Sequence, residues 1–350
     1  MNIVTTIAVD QSDGPAAHYP QIPYASPSER RLIYWRCVCV FFRSSVTANP
    51  GARHLLITND KKPPIIDGLD LEGYLRSLEV DILLVPFEEF RPTVEQSKIF
   101  RNNYYKLAAL SYVVENFKGS TLLLDSDVIW INSWPSIPTG IHLYKAFSRP
   151  ESQREPTGIS SDDLAAMYAL LEGVCSENPV DWCGGEFIAG DNVSLRSFMT
   201  QARQIFRRWQ NDFDPSIHRF PNGTSVFDND EFLLSRVAID WKFEFTPHIK
   251  RIWTDEHGGG TVAHHRLAAL HLPNEKLTGI AGLFDRLVLD GSPVTTDLLT
   301  GWCGIPIRQF KYESRDPRVR IRRAIVTALK SSLPGPAYNT LRSIFRRSPI

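Results

Sequence analysis

The chain has 350 residues, 43% of them hydrophobic, a balance that excludes a disordered protein and supplies the apolar content for a substantial core. Lys and Arg together number 39, as do Asp and Glu, so no overall charge argues for a nucleic-acid partner. From Lys311 onward, however, ten basic residues stand against two acidic ones, leaving 29 against 37 upstream: the tail carries +8 and the body −8.

"NIVTTIAVD" predicts a first strand ending in Asp10, and the Pro-, Ser- and Gly-rich stretch from Gln11 to Arg30 reads as a long loop. "RLIYWRCVCVFFRSSVTANPGA" reads as a helix stopped by "NPG", and "RHLLITND" and "VDILLVPF" as strands. From Glu95 to Phe117, the apolar Phe100, Leu107, Leu110, Val114 and Phe117 fall at roughly helical spacing, with Gly119 as a stop. "TLLLDSDVIW" is the next strand. This alternation predicts an α/β fold, a mostly parallel, doubly wound sheet flanked by helices. Ligands of such sheets gather at the carboxyl ends of the strands, where Asp10 and Asp125 stand. Further helices are expected near Asp162 to Leu171 and Leu195 to Trp209. Near Gln309 the composition changes, which divides the chain into a body, 1–309, and a basic C-terminal segment, 310–350.

The five cysteines (Cys37, Cys39, Cys175, Cys183, Cys303) are odd in number and form no CxxC pair, which favours reduced thiols in a cytosolic protein and suggests no zinc site. The N-terminus lacks the basic region of a signal peptide. "LIYWRCVCVFF" is interrupted by Arg36 and falls short of the ~18 residues a spanning helix needs, so the body is expected to be soluble.

Strand alternation sends residues i and i+2 to one face, so Asp125 and Asp127 can converge with Ser126 turned away. Two carboxylates that close repel unless a cation lies between them, and a hard divalent ion such as Mn²⁺ or Mg²⁺ fits oxygen ligands. An isolated Asp-x-Asp is also a common turn or helix cap; the apolar strand before this one favours the metal. "LAALHLPNEK" is a second apolar run that ends in a potential ligand, His271, with Lys276 five residues on. The imidazole could complete an ion's shell and the ammonium could meet phosphate charge, although a structural role for His271 and competition from His264 and His265 stay open.

Together these segments resemble, in order over much of Asn2 to Lys276, the glycosyltransferases of the GT-A fold, closest to the retaining family eight that includes bacterial lipopolysaccharide galactosyltransferases and glycogenin. The resemblance implies a Rossmann-like catalytic domain over 1–309, with Ala8 and Asp10 contacting the nucleotide base. "NNYYKLAAL" is similar to the family's Tyr-x-Arg-Leu helix and puts Lys106 at the nucleotide sugar. "LLLDSDVIW" matches the metal motif, with Asp125 and Asp127 as ligands and Asp125 also near the ribose. "DWCGGEFIAGD" resembles the donor-sugar segment and nominates Gly185; "FDNDEFLLS" resembles the segment beside the reacting sugar and nominates Asp228, Asn229 and Asp230. "HLPNEK" matches His-x-x-Gly-x-x-Lys, which gives His271 to the metal and Lys276 to the diphosphate. Departures are plain: Lys106 stands for Arg, Cys183 for Asn and Asn229 for Gln, and the last motif is one residue short and lacks its Gly.

The resemblance implies a metal-dependent transferase that moves a sugar from a nucleotide donor, expected to be UDP-linked, to a glycan or glycolipid acceptor with retention. "DNDE" also reads as the acidic N-terminus of a helix, and Glu186 could be a general base if the enzyme inverts. Among the tryptophans Trp130, Trp134, Trp182 and Trp253, most suit the core, and Trp182 is the best candidate to stack on a sugar. "HGGG", His257 to Gly260, reads as a turn or a mobile loop over the donor. The tail intersperses Arg with Val, Ile, Leu and Phe, a pattern suited to an anionic membrane surface, so the expected location is cytoplasmic, peripheral on the inner face of the cytoplasmic membrane. A solvated basic helix is the alternative for the tail. For the body, the alternatives are a sugar nucleotidyltransferase, whose Gly-rich loop after the first strand is missing here, and a non-catalytic carbohydrate-binding relative, which would be expected to lose the metal-motif acids.

Overall fold

Strand β1 (Asn2–Ile7) is buried along nearly its whole length because it lies inside a sheet covered on both faces. The computed structural model describes residues 1–10, 17–22, 25–97, 99–136, 138–146, 158–173, 180–252 and 267–302. After β1 come α1 (Pro27–Ala48), β2 (Arg53–Thr58), the two-residue strands β3 (Ile65–Ile66) and β4 (Leu69–Asp70), α2 (Leu71–Ser77), β5 (Val80–Leu84) and α3 (Tyr105–Asn116). Then follow β6 (Ser120–Leu124), β7 (Val128–Trp130), β8 (Ile141–Lys145), α4 (Ser161–Glu172), β9 (Cys183–Asp191), α5 (Asn192–Asp212) and α6 (Asp230–Ala238). The described chain closes with β10 (Phe243–Phe245), β11 (Ile249–Arg251), β12 (Ala269–His271), α7 (Gly279–Phe284) and α8 (Thr296–Trp302).

The main sheet has seven strands in the order β10-β8-β9-β6-β1-β2-β5. Pairings β6-β1, β1-β2, β2-β5 and β10-β8 are parallel, whereas β9 runs antiparallel to both β6 and β8. The sheet is thus mostly parallel, as the alternation predicts, with a reversal at β9 that the apolar pattern does not foretell. Successive residues serve opposite faces: Leu123 joins a core with α3, α5 and α6, while Leu122 and Leu124 join a second core with α1, α2 and α7. A separate three-stranded sheet, β11-β12-β7, lies beyond the end of β6.

Several boundaries differ from the sequence reading. β1 ends at Ile7 rather than Asp10, because a side chain replaces the ladder: Asn59 Oδ1 accepts from Val9 N (2.8 Å) and its Nδ2 donates to Val9 O (3.0 Å). Helix α1 starts at Pro27, inside the stretch expected to be loop, where Ser26 and Glu29 form a capping box with Pro at the first turn. Of the helix expected from Glu95, only Tyr105–Asn116 is α-helical; Phe100 takes a left-handed φ of 55° and a short 3-10 turn, Arg101–Tyr104, leads in. The basic segment 310–350, the His257 to Gly260 stretch, His264, His265, Trp253, Cys175 and Cys303 lie outside the described residues. Among the described residues no helix is long and apolar enough to cross a membrane.

Candidate functional site

The apolar run "TLLL" ends β6 at Leu124, and Asp125 to Asp127 form the turn that carries the chain into β7 and the second sheet. The two acids therefore converge through a turn between strands, not through alternation along one strand, and Ser126 is buried within that turn. Asp125 N donates to Glu186 O (3.2 Å), which ties the turn to β9. The antiparallel pairing of β7 with β12 then sets His271 opposite Val128, and Leu272 N donates to Asp127 O (3.0 Å). One ligand atom from each of Asp125, Asp127 and His271 lies within 4.8 Å of the others. His271 Nε2 is 3.2 Å from Asp127 Oδ2 and 3.8 Å from Asp125 Oδ2.

Two buried lysines flank the acids. Lys106 Nζ, from α3, reaches Asp125 Oδ1 (2.7 Å), Asp230 Oδ2 (3.3 Å) and Gly185 O (2.9 Å). Lys276 Nζ contacts Asp127 Oδ2 and donates to Pro273 O (3.2 Å). Burial opposes the charged form of Asp127, but Lys276 and His271 outweigh it and hold the carboxyl well below the usual range. Burial likewise opposes the imidazolium of His271, yet Asp127 and Glu186 push it up to about 9. Asp230 goes the other way: burial raises it to about 7, Lys106 opposes, and Asp125 and Glu231 add to the rise. Neither of its oxygens makes a hydrogen bond among the described residues.

Of Asp228, Asn229 and Asp230, it is Asp230 that pairs with Lys106 of this cluster. Asp228 accepts from Ile99 N (3.2 Å) and Ser225 N (2.8 Å) and so braces a turn. Asn229 is the N-cap of α6, accepting from Glu231 N (3.2 Å), which realises the helix-terminus reading of this motif. Glu186, weighed as a base, is bound by the Arg251 fork; although burial opposes its charge, Arg251 and His271 hold it down at about 2. A carboxylate held that acidic is a poor proton acceptor. Trp182 is buried, donates to Glu231 Oε2 (2.7 Å) and packs edge-on to Phe232, so it is a core residue rather than a sugar platform. Trp130 is buried too, and Trp134 stacks on Phe187.

A side chain at Gly185 would crowd the Asp230 carboxylate: a Cβ there would lie 2.5 Å from Asp230 Oδ2 and 3.1 Å from its Cγ, so this buried carboxylate would have to shift. Gly185→Ala should therefore cost about 1–3 kcal/mol of stability. Gly51→Ala, with open space around the added carbon, should cost well under half of that. Urea unfolding of the two variants checks this, and equal losses would contradict the close approach.

Ala8 and Asp10 line a small cavity together with Tyr19, Arg30, Tyr34 and Asn102. Asp10 is engaged on both oxygens: Oδ1 accepts from Ala17 N (2.9 Å) and Asn102 Nδ2 (2.9 Å), and Oδ2 pairs with Arg30 (3.1 Å). Tyr34 lines this cavity while its ring lies 5.9 Å from Lys276 Nζ, so one side chain connects the cavity with the metal-ligand cluster.

No protein-family model matches this chain, and no curated protein does. The site is therefore read from its own residues. Ligands at right angles around an octahedral ion with bonds of about 2.1 Å lie about 3 Å apart. The separations of 3.2 and 3.8 Å between His271 and the two acids leave room for a divalent ion, and two carboxylates with one imidazole make a mixed oxygen and nitrogen donor set. Sequence reasoning missed Arg30, Tyr34, Asn102, Glu231 and Arg251. Arg30 and Tyr34 sit four apart on α1, a spacing that puts them on one face; nothing in the sequence marks Arg251.

Proposed function

We propose that the chain is a metal-dependent glycosyltransferase of the GT-A type that uses a nucleotide-sugar donor, UDP-linked, and a glycan or glycolipid acceptor, with retention. The observation that carries this reading is the cluster of Asp125, Asp127 and His271 at the carboxyl end of β6, beside a cavity lined by Ala8 and Asp10. In such a reaction the bond from the anomeric carbon to the diphosphate breaks, a bond from an acceptor hydroxyl forms, and the hydroxyl's proton leaves with the diphosphate. A divalent ion held by the three ligands would supply Lewis-acid stabilisation of the departing charge. The Ala8 and Asp10 cavity holds the base; Lys106 aligns Asp125 and Asp230 beside the donor sugar; Lys276 supplies a buried cation to the diphosphate.

Incubation with a panel of sugar nucleotides and Mn²⁺, followed by measurement of released nucleotide, tests the reading. Release from at least one donor, stopped by excess chelator, is expected. Full turnover in chelator would rule out the metal, and no release from any donor would rule out the transferase.

The reading extends to peripheral attachment through segment 310–350, whose charge of +8 is carried among apolar residues. Each Lys or Arg near an anionic surface contributes on the order of 1 kcal/mol, screened by salt. The full chain should float with anionic vesicles at low salt and less at high salt, and truncation after Gln309 should abolish flotation. A full-length protein that stays in the soluble fraction at low salt would end this part of the proposal.

A further inference from the structure

The buried pair Glu186 and Arg251 lies directly behind the metal-ligand candidate His271, on the side away from Asp127. We propose that Glu186, held by Arg251, is a positioning residue that fixes the tautomer and orientation of His271 so that its Nε2 lone pair faces a metal; this rests on the metal reading above.

A neutral imidazole carries one proton, and the nitrogen that carries it cannot ligate. His271 Nε2 faces Asp127 (3.2 Å), while Nδ1 lies 3.4 Å from Glu186 Oε1 and makes no hydrogen bond among the described residues. Asp127 and Glu186 are both acceptors, so each nitrogen faces a carboxylate; once Nε2 gives its lone pair to an ion, the remaining proton is on Nδ1, toward Glu186. Glu186 is kept ionised and aimed by a fork: Arg251 Nε donates to Oε1 (2.7 Å) and Nη2 pairs with Oε2 (2.5 Å). Arg251 is itself fixed by Glu231 Oε1 (2.6 Å) and by its backbone N donating to Tyr144 Oη (3.0 Å). The parallel pairing of β11 with β12 places Arg251 and His271 opposite each other in register, so ligand and clamp are built on one small sheet. Partners of this kind behind a metal-ligating histidine fix its orientation and raise its basicity. The competing explanation is a buried ion pair that only stabilises the fold; it predicts changed stability with unchanged nitrogen ligation.

The test uses the full chain and Mn²⁺ alone. In Glu186→Gln the amide can donate to Nδ1, which lets the proton move to Nε2. Calorimetry should show Mn²⁺ affinity lowered about 10- to 100-fold, and pulsed EPR should show the ¹⁴N coupling of the wild-type Mn²⁺ centre lost, as in His271→Ala. Near-UV circular dichroism checks folding. If Glu186→Gln fails to fold, Glu186→Gln/Arg251→Gln replaces the ion pair by an uncharged one and should give the same loss. A variant that folds, binds Mn²⁺ with wild-type affinity and keeps the ¹⁴N coupling overturns the positioning role and leaves the metal site standing. A wild-type protein that binds no Mn²⁺ overturns both.

Discussion

Asp127→Ala should abolish Mn²⁺ binding and lower nucleotide release by roughly 10³-fold or more, the rate equivalent of several kcal/mol of lost Lewis-acid stabilisation. Asp127 is the point where the candidate shell is densest, since its Oδ2 meets both His271 and Lys276. Its removal also leaves the buried Lys276 without its carboxylate, which costs about 3–5 kcal/mol of stability. Folding must therefore be measured beside activity, and Asp127→Asn, equal in shape, is the companion variant. Ser126→Ala changes a buried hydroxyl in the same turn and should alter release less than tenfold. Equal losses in Ser126→Ala and Asp127→Ala would mean that the turn, not the ligand, is being disturbed.

The second large effect is expected at Lys106. Its ammonium is almost fully buried, and although burial opposes its charge, Asp125 and Asp230 hold it above the ordinary lysine range. Lys106→Met keeps most of the aliphatic stem and removes the charge, leaving two carboxylates without their shared cation and the Gly185 carbonyl without its donor. A loss of about 3–5 kcal/mol is expected in urea unfolding. Asp230→Asn placed on top of Lys106→Met should recover a large part of it, because the second substitution removes one of the stranded charges. Strict additivity of the two substitutions would break the proposed link between α3 and α6.

The sequence made the main sheet legible wherever an apolar run is long and stands between polar turns, as in β1, β2 and β6. The acids of the site were legible because a charge at the end of such a run is conspicuous. What was not legible depends on contacts between distant segments. Asp125 and Asp127 converge because the chain leaves one sheet for another, an event fixed by the β7-β12 pairing and not by any local pattern. Asp228 and Asp230 stand two apart in similar sequence surroundings, yet one braces a turn and the other faces Lys106, since α6 starts at Asp230 and leaves Asp228 outside it. The start of α1 is a different case. The Ser26 and Glu29 pair has the spacing of a capping box, but it stands inside a stretch whose Pro, Ser and Gly content reads as loop.

The contact between Lys276 and Asp127 spans 149 positions of chain, and His271 joins the acids only when β12 is seated on β7. Closing so long a loop is slow, and a chain that has formed only its first strands holds none of this cluster. A divalent ion that recognises all three side chains is then a ligand of the finished molecule alone. At a concentration 100 times its dissociation constant it would add about 2.7 kcal/mol to the unfolding free energy. The midpoint of thermal denaturation, followed as Mn²⁺ is titrated in, would thus report assembly of the cluster without any knowledge of the donor or the acceptor.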